Sequence, residues 1–328
     1  MKHCIIITTI HPKSEAISVF EAQPGWHVVT VGDKKSAAIP SSANLTFLSL
    51  AAQAKLDFRL ARECPFNHYA RKNIGYLYAI RSGAEVIFDT DDDNIPNSEL
   101  ILPTFACDHQ ALTVSKFVNI FTHFTREFVW PRGFPFDEIQ NARRSPFRLA
   151  KTPAAKIGVW QGLSDGEPDV DALFRLVLNH NIRFSRKKAF FLPSGRFCPV
   201  NSQNSFWQRR AFPYLYLPAT VSFRFTDILR GYVLQRLLWQ DGLHVGVAPA
   251  AVGHLRNPHD LMKDFADEVP FLLHIKEIVA IIESVKLGVD PWANLFGIYE
   301  KLTAANFVGR DEMELLGLWQ EAFMKIER

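Results

Sequence analysis

Carboxylates are crowded at one point of the chain, where four of the six residues from Asp89 to Asn94 are aspartates. The run follows an apolar, strand-like segment at residues 84–88. Neighbouring carboxylates repel one another, so a fold that crowds them needs a cation or hydrogen-bond donors to oppose their charge. Carboxylate oxygens suit Mg²⁺ and Mn²⁺, which commonly bind one or two carboxylates together with substrate phosphates. The run therefore predicts a divalent metal site for a phosphate-bearing ligand, with Asp91 and Asp93 as metal ligands.

A solvated acidic turn is the alternative for this run, because Asn94 and Pro96 are typical turn residues. An EF-hand is disfavoured, since Asn94 stands where that calcium loop needs glycine and Leu100 stands where it needs glutamate. The position of the run favours a metal–phosphate site, because open α/β sheets bind ligands beyond the carboxyl ends of their strands.

The composition is that of an ordinary globular protein of 328 residues with a net charge of +3, too small to indicate a nucleic-acid partner. The four cysteines are scattered without a metal-ligand spacing, which favours a reducing compartment. Charged residues interrupt the most apolar stretch, and the first apolar run is too short for a signal peptide. We expect a cytoplasmic protein without a transmembrane segment, with peripheral membrane association and an oligomer both left open.

The elements that must position the acidic run alternate between strands and helices. A helix-like stretch at residues 68–82, ended by Gly83, precedes the strand that leads into the run. Four short β-branched or aromatic runs read as buried strands: residues 4–7, 26–31, 45–50 and 86–88. This alternation predicts an α/β fold with one Rossmann-type mixed sheet flanked by helices. A dinucleotide cofactor is not supported, because the first turn has no Gly-x-Gly-x-x-Gly motif.

The second half of the chain is more varied. Alternating apolar and polar residues at 111–128 predict half-exposed strands. An amphipathic helix is predicted at residues 225–239, and a helical tail is predicted beyond His254, with a break near residues 288–291. We therefore divide the chain into a nucleotide-sugar-binding half (1–105), an acceptor-side half of the same domain (106–268) and a C-terminal helical extension (269–328).

Two groups of polar residues near the predicted strand ends could bind a nucleotide. Asp33 follows the second strand and could accept hydrogen bonds from a base or a ribose, while Lys34 and Lys35 could face phosphate. Lys72 and Asn73 lie near the start of the helix before the acidic run and could reach the same ligand. A surface turn and a solvated helix start are the respective alternatives.

On the acceptor side, Asp165 and Asp169 lie in an acidic, glycine-containing loop that could hold acceptor hydroxyls. Asp171 in the same loop is more simply explained as the N-cap of a helix that begins at Ala172. Asn204 belongs to a run of neutral donors and acceptors that would suit sugar hydroxyls, although an ordinary loop would contain the same residues.

Asp227 begins the amphipathic helix, where a carboxylate can either stabilise the helix N-terminus or project into a cleft as a general base. Further along the chain, either His254 or His259 could complete the metal site. Arg256, between these two histidines, could clamp a pyrophosphate.

Together, these motifs resemble the GT-A class of nucleotide-sugar glycosyltransferases and, more narrowly, the STELLO family. The resemblance extends from about residue 5 to residue 268. It is carried by seven segments: residues 71–80, 88–94, 130–139, 161–162, 168–172, 201–204 and 221–239.

A weaker resemblance is to reversibly glycosylated polypeptides, the UDP-arabinopyranose mutases. It is carried by Asp91 to Asp93 and by residues 132–136 and 168–172. In that family an arginine accepts the sugar, and the matching residue here is Arg132.

These resemblances imply a glycosyltransferase that uses Mn²⁺ or Mg²⁺ to move a sugar from a nucleotide, most simply UDP, to a hydroxyl of a glycan or glycolipid. Asp227 is the expected base if the reaction inverts the anomeric centre, and it would position the acceptor if the reaction is retaining. The expected metal ligands are Asp91, Asp93 and His259. The expected acceptor residues are Arg132, Asp165, Asp169 and Asn204. The expected donor residues are Thr8, Asp33, Lys72, Asn73, Asp89, Asp92 and Arg256.

Three other functions remain as alternatives: a sugar mutase that labels itself at Arg132, a nucleotidyltransferase, and a non-catalytic nucleotide-sugar-binding module. The nucleotidyltransferase is disfavoured, because the Gly- and Arg-rich phosphate loop expected after the first strand is absent from the sequence.

Overall fold

One mixed β-sheet forms the centre of the molecule. The computed structural model describes residues 1–144, 148–255 and 260–327. Within these residues the sheet has the strand order β3-β2-β1-β4-β9-β7-β6-β8-β10-β5, and the long β7 also pairs with β10. The strands are β1 (His3–Thr8), β2 (His27–Val31), β3 (Leu45–Leu48), β4 (Val86–Thr90), β5 (Asn94–Pro96), β6 (Ala106–Leu112), β7 (Arg148–Gly166), β8 (Phe190–Phe191), β9 (Asn204–Gln208) and β10 (His244–His254).

The first four strands named in this order are parallel, and their register brings their carboxyl ends to one edge. Thr8 at the end of β1 lies beside Val31 at the end of β2, and Ile6 lies beside Asp89 of β4. The antiparallel β9 then joins this parallel half to β7. The predicted α/β fold with a GT-A-like mixed sheet is confirmed.

Helices cover both faces of the sheet. They are α1 (Glu15–Glu21), α2 (Leu50–Ala54), α3 (Leu60–Glu63), α4 (Lys72–Arg81), α5 (Phe121–Phe124), α6 (Ile139–Arg144), α7 (Ala172–Val177), α8 (Thr226–Gln240), α9 (Leu261–Leu272), α10 (Ile275–Ser284), α11 (Pro291–Ala304) and α12 (Glu312–Glu327). Shorter 3₁₀ turns span Tyr69–Arg71, Phe136–Glu138 and Arg209–Leu215.

The predicted helix before the acidic run is a 3₁₀ turn (Tyr69–Arg71) continued by α4. It ends as the sequence predicts, because Gly83 adopts a φ of 83°. The amides of Gly83 and Ala84 donate to the carbonyls of Ile80 and Ala79, each at 3.0 Å. This pair of bonds is a Schellman motif, which stops α4 just before β4 begins.

Alternate residues of the central strands supply two apolar cores. Ile6 and Ile87 face the core that also contains α4, α8 and the C-terminal helices. Ile5 and Phe88 face a smaller core beneath α1. Because side chains of a strand alternate between the two faces, this pattern matches a sheet buried on both sides.

The prediction of half-exposed strands at residues 111–128 is wrong for most of that segment. Strand β6 ends at Leu112, and α5 follows after an irregular stretch. The misleading alternation arises because Phe117, Phe121 and Phe124 anchor the segment in the larger core without a strand ladder. Tertiary burial, rather than strand periodicity, explains their spacing.

The tail beyond β10 is helical, as predicted, and its break falls between α10 and α11. The tail packs on the rest of the chain, since its residues Ile278, Ile298 and Trp319 belong to the larger core. The division at residues 105 and 268 stays a prediction. None of the helices in the described ranges combines the length and the apolar run needed to cross a bilayer.

Candidate active site

A cavity of about 510 Å³ opens at the edge where the parallel strands end. Its walls come from the loops after β1, β2 and β4 on one side and from the loops before α7 and α8 on the other. Eight of the predicted site residues line it: Thr8, Asp33, Asp91, Asp92, Asp93, Arg132, Asp169 and Asp227. The volume is that of a typical small-molecule site.

Two other predicted residues lie beneath the cavity floor. Lys72 and Asp89 are fully buried, with 2.7 Å between Lys72 Nζ and Asp89 Oδ1. The second oxygen of Asp89 accepts a hydrogen bond of 2.9 Å from the guanidinium of Arg230 on α8. Arg230 also donates to the hydroxyls of Ser202 and Tyr76. This buried network supports the acidic run from below, and none of its members lines the cavity.

Asp91 is the carboxylate that connects this network to the cavity. Its side chain is 31% exposed. Its Oδ1 accepts hydrogen bonds from the hydroxyl of Tyr69 at 2.6 Å and the ammonium of Lys72 at 3.1 Å. Burial is the main cause that raises the pKa of Asp91 to about 6; Lys72 opposes the shift and the charge of Asp93 adds to it. The carboxylates therefore lie close enough to repel, as the sequence suggests.

Asp93 faces an imidazole. Its Oδ2 lies 3.1 Å from Nε2 of His254, while Nδ1 of His254 faces the carbonyl of Glu167. Burial lowers the pKa of His254, but the hydrogen bond and charge of Asp93 outweigh it, so that the pKa is raised. Nδ1 must carry a proton to donate to the carbonyl of Glu167. Nε2 is therefore the nitrogen that carries the lone pair in the neutral imidazole, and it faces Asp93.

Asp91 and Asp93, the two carboxylates predicted to bind a metal, both line the cavity. Within the described residues, no three His, Cys, Asp or Glu side chains form a metal cage by themselves. Mg²⁺ and Mn²⁺ do not require one, since one or two carboxylates with substrate phosphates commonly suffice. Asp91, Asp93 and His254 line the same cavity and offer oxygen and nitrogen atoms. His259, the third predicted metal ligand, and Arg256, the predicted pyrophosphate clamp, lie outside the described residues.

On the opposite wall, Arg132 binds two carboxylates at once. Its Nε and Nη2 donate to Asp169 at 2.7 and 2.9 Å, and its Nη1 and Nη2 donate to Asp227 at 3.1 and 2.9 Å. Burial opposes the charge of Arg132, but the two carboxylates raise its pKa well above the ordinary value. Burial raises the pKa of Asp169, but the charge and hydrogen bonds of Arg132 outweigh burial. The pKa of Asp169 is therefore lowered.

Asp227 is saturated by hydrogen-bond donors. Beyond its two bonds from Arg132, Oδ1 accepts from the amide of Ile228 at 3.0 Å and Oδ2 from the amide of Ser202 at 3.2 Å. Four N–H groups thus occupy a carboxylate that has about four acceptor sites. This geometry favours a positioning role for Asp227 over the general base that is the first expectation from sequence.

Three further predicted residues do not line the cavity. The amide of Asn73 pairs at both ends with the backbone of Leu217, each at 2.8 Å. Asn204 is fully buried in β9 and donates to the carbonyl of Leu163. Asp165 accepts from the amide of Phe184 and pairs with Arg186. Asn73 and Asp165 use their polar atoms to fix the local structure, whereas the buried Oδ1 of Asn204 has no hydrogen-bond partner among the described residues. The binding roles expected for these three residues stay predictions.

Asp171 is a helix cap, as the sequence favours. Its Oδ1 accepts from the amide of Phe174 at 2.9 Å, and its Oδ2 accepts from the indole of Trp130 at 2.5 Å. Burial is the main reason that the pKa of Asp171 is raised to about 7, although both hydrogen bonds oppose the shift.

Two residues that hold the site in place were missed from the sequence. Tyr69, which binds Asp91, precedes Lys72 by one helical turn, a spacing that puts both on one face. Arg230 follows Asp227 by the same spacing and is 1% exposed. The available signal was a charged residue among the apolar residues of α8, because arginine is rarely buried unless it is paired.

The parallel half-sheet, the acidic strand end and the shared cavity define a GT-A-like α/β protein. The chain is 28% identical over 346 aligned residues to Probable glycosyltransferase STELLO2 of Arabidopsis thaliana, across 99% of this chain and 43% of that protein. It is 32% identical over 268 residues to Probable glycosyltransferase STELLO1 of the same plant, across 76% of this chain and 34% of that protein.

The predicted resemblance to the STELLO family is confirmed by these two similarities. The chain spans less than half the length of either of these curated proteins. No family model matches the chain.

Proposed function

We propose that the protein is a glycosyltransferase that moves a sugar from a UDP-linked donor to a hydroxyl group, with Mn²⁺ or Mg²⁺ bound at the acidic run. The observation that carries this proposal is the single cavity that places Asp91 and Asp93 opposite Arg132, Asp169 and Asp227. One wall suits a metal-bound diphosphate, and the other offers polar groups to an acceptor. The names of the two similar plant proteins support the class of reaction.

The donor half of the cavity is lined by groups suited to a nucleotide. Thr8 and Asp33 stand at the ends of β1 and β2, and Lys35 is an exposed cation on the same wall. Asp92 is held in place by the hydroxyl of Thr9. In this proposal Asp33 accepts hydrogen bonds from the nucleoside and Lys35 faces the phosphates.

Asp91 and Asp93 would hold the metal together with phosphate oxygens of the donor, and Nε2 of His254 faces Asp93. When bound, such a cation neutralises the charge that develops on the departing nucleotide diphosphate. Lys72 and Tyr69 fix the orientation of Asp91 before any ligand arrives, because both donate to its Oδ1. Preorganised groups of this kind contribute to rate without reorganising during the reaction.

On the acceptor half, we assign Arg132 and Asp227 to positioning. The four donors on Asp227 leave little capacity to take a proton from an acceptor hydroxyl. Asp169 also accepts hydrogen bonds, from Arg132 and, at 2.7 Å, from the side-chain amide of Asn201. These two carboxylates hold the arginine in a fixed orientation, so that the polar wall keeps its shape around an acceptor.

Self-glycosylation at Arg132, as in a sugar mutase, is disfavoured by the same contacts. A guanidinium becomes a nucleophile only after losing a proton, and two carboxylates raise the pKa of Arg132 well above its ordinary value. Attack would also require breaking bidentate bonds to Asp169 and Asp227.

Calorimetric titration of UDP tests the donor site. We expect binding in the presence of Mn²⁺ that weakens at least about tenfold, ~1.4 kcal/mol, with EDTA or in the double variant Asp91→Asn/Asp93→Asn. Asp165→Asn is the matched control, since Asp165 lies outside the cavity, and it should bind UDP normally. If the wild-type protein binds no UDP with or without Mn²⁺, the proposed donor is wrong. If UDP binds, turnover of UDP-sugars would separate an enzyme from a binding module.

A further inference from the structure

Phe223 is an exposed aromatic residue in the wall of the cavity. It is 50% exposed, whereas its chain neighbour Phe225 is 2% exposed. An apolar ring that faces solvent inside a ligand cavity gains nothing for folding from that surface. Large exposed apolar groups at such a place are typical of binding sites.

The loop that carries Phe223 is held by the two residues that follow it. Phe225 stacks on Phe271 of α9, with ring centroids 4.2 Å apart and planes inclined by 14°. Arg224 donates to Glu268 at 2.6 and 2.9 Å, and its carbonyl accepts from Arg132. Because Arg224 and Phe225 are anchored, the exposure of Phe223 is imposed by the loop and does not reflect a free chain end.

Phe223 also lies between the two chemical halves of the site. The centroids of its ring and of the Tyr69 ring lie 5.5 Å apart, with an interplanar angle of 80°. Tyr69 donates to Asp91 on the donor wall. Arg224, the next residue, contacts Arg132 on the acceptor wall. A ligand that leaves the metal motif toward Arg132 therefore passes Phe223.

We propose that Phe223 is a platform for a saccharide ring of the acceptor. One face of a pyranose is formed by C–H groups, which pack on an aromatic face by dispersion and by excluding water. The hydroxyls at the ring edge would then reach the polar wall formed by Arg132 and Asp169. The identification of this saccharide as the acceptor rests on the proposed function. A platform at Phe223 implies that the acceptor hydroxyl belongs to a sugar rather than to a protein or a lipid.

The nucleobase is a less suitable occupant of this position. Thr8 and Asp33, which stand at the ends of β1 and β2, are the groups assigned to the nucleoside. Phe223 instead precedes α8 and is tied to α9 through its neighbours.

Saturation-transfer NMR tests the platform. The probes are the methyl β-glycosides of glucose, galactose, mannose and xylose, each added with UDP and Mn²⁺. We expect at least one of them to bind, with saturation strongest at its C–H face. Phe223→Ala should weaken this binding at least about tenfold, and Phe223→Trp should retain it.

Phe66→Ala is the matched control. Phe66 is 42% exposed, but its ring is contacted by the ammonium of Lys34 at 4.2 Å and the guanidinium of Arg71 at 4.6 Å. Its replacement should leave glycoside binding unchanged.

Equal glycoside binding by wild type and Phe223→Ala would overturn the platform. So would the absence of any glycoside binding when UDP binds normally. If UDP fails to bind while glycoside binding still depends on Phe223, the platform stands and the nucleotide donor is wrong. Circular dichroism of each variant, with Phe223→Trp as the conservative change, separates lost binding from lost folding.

Discussion

At the scale of single residues, two buried cations each hold two carboxylates. Lys72 lies between Asp89 and Asp91, and Arg132 lies between Asp169 and Asp227. Removing a charge from water is unfavourable unless partners replace the lost solvation. Sharing one cation between two carboxylates fixes the orientation of both, and in each set at least one carboxylate reaches the cavity.

Replacing Arg132 should therefore lower the stability of the protein as well as its proposed activity. We expect Arg132→Met to lower the free energy of unfolding by about 3 kcal/mol, because it leaves Asp169 and Asp227 buried without their counter-ion. Arg132→Lys should lose less, since it keeps the charge but not the planar fork. Urea denaturation measures both. Wild-type stability in Arg132→Met would mean that the pairing contributes nothing.

Asp171 predicts a dependence of stability on pH. Its pKa is raised to about 7 in the folded protein, above the ordinary value of 3.8. Between these values the folded protein holds a proton that the unfolded chain has released. The contribution of Asp171 to stability is therefore greatest at low pH and is lost as the pH rises toward about 7.

Asp171→Ser provides the comparison, because serine can cap α7 without titrating. From about pH 5 to about pH 8, the wild-type protein should lose roughly 2–3 kcal/mol of unfolding free energy relative to this variant. Thermal or urea denaturation at several pH values measures the difference. A constant difference across this range would show that Asp171 does not titrate as expected.

At the scale of elements, two helices place the site residues by their spacing. Tyr69 lies in the 3₁₀ turn that precedes α4, one turn before Lys72 at the start of the helix, and both donate to Asp91. Asp227 and Arg230 lie one turn apart on α8, where the first faces Arg132 and the second faces Asp89. Each helix therefore turns a local spacing into a contact between distant parts of the chain.

The seating of α4 depends on Gly75. A Cβ atom at this position would lie 2.6 Å from Val31 Cγ2 and 2.8 Å from Ile6 Cγ2, which is too close for unchanged packing. We expect Gly75→Ala to lower the free energy of unfolding by about 1–3 kcal/mol and to weaken UDP binding, because α4 and Lys72 must shift. Chemical denaturation and calorimetry measure these two effects.

Gly317→Ala is the matched control within another helix. No atom lies within 4 Å of a Cβ built at Gly317, so the substitution should be neutral or stabilise α12 by up to about 1 kcal/mol. Similar losses in both variants would point to general helix effects instead of a close contact at Gly75.

At the scale of the whole molecule, the C-terminal helices are part of the same folded unit as the site. Glu312 at the start of α12 is fully buried. It accepts from the hydroxyl of Tyr216 at 2.5 Å and from the amides of Ala219 and Thr220 at 3.1 and 2.8 Å. Through the segment at residues 216–220, the tail is joined to the region that precedes α8.

Glu312→Ala should consequently destabilise the whole protein. We expect a loss of about 3 kcal/mol, since several buried donors would lose their acceptor. Glu314→Ala is the control, because Glu314 is exposed on the same helix turn. Far-UV circular dichroism and tryptophan fluorescence should report one shared transition in each variant. Separate transitions would instead indicate that the tail folds as an independent unit.

The sequence by itself determined the parallel strands, the helix that ends at Gly83 and the acidic run at a strand end. These features depend on local periodicity and turn residues, which neighbouring residues largely fix. It also indicated the class of protein, through motifs long enough to be specific. Five of the eight predicted residues that line the cavity follow from the same reasoning, because parallel strand ends meet at one edge: Thr8, Asp33, Asp91, Asp92 and Asp93.

Only the tertiary structure decided which polar groups serve a ligand and which serve the fold. Asn73 has the same amide chemistry as a sugar-binding residue, yet the backbone of Leu217 occupies both ends of its side-chain amide. Arg230 and Asp89 are 141 residues apart, and Arg132 and Asp227 are 95 residues apart. Such pairs depend on how distant elements pack together, and no local pattern in the chain records that packing.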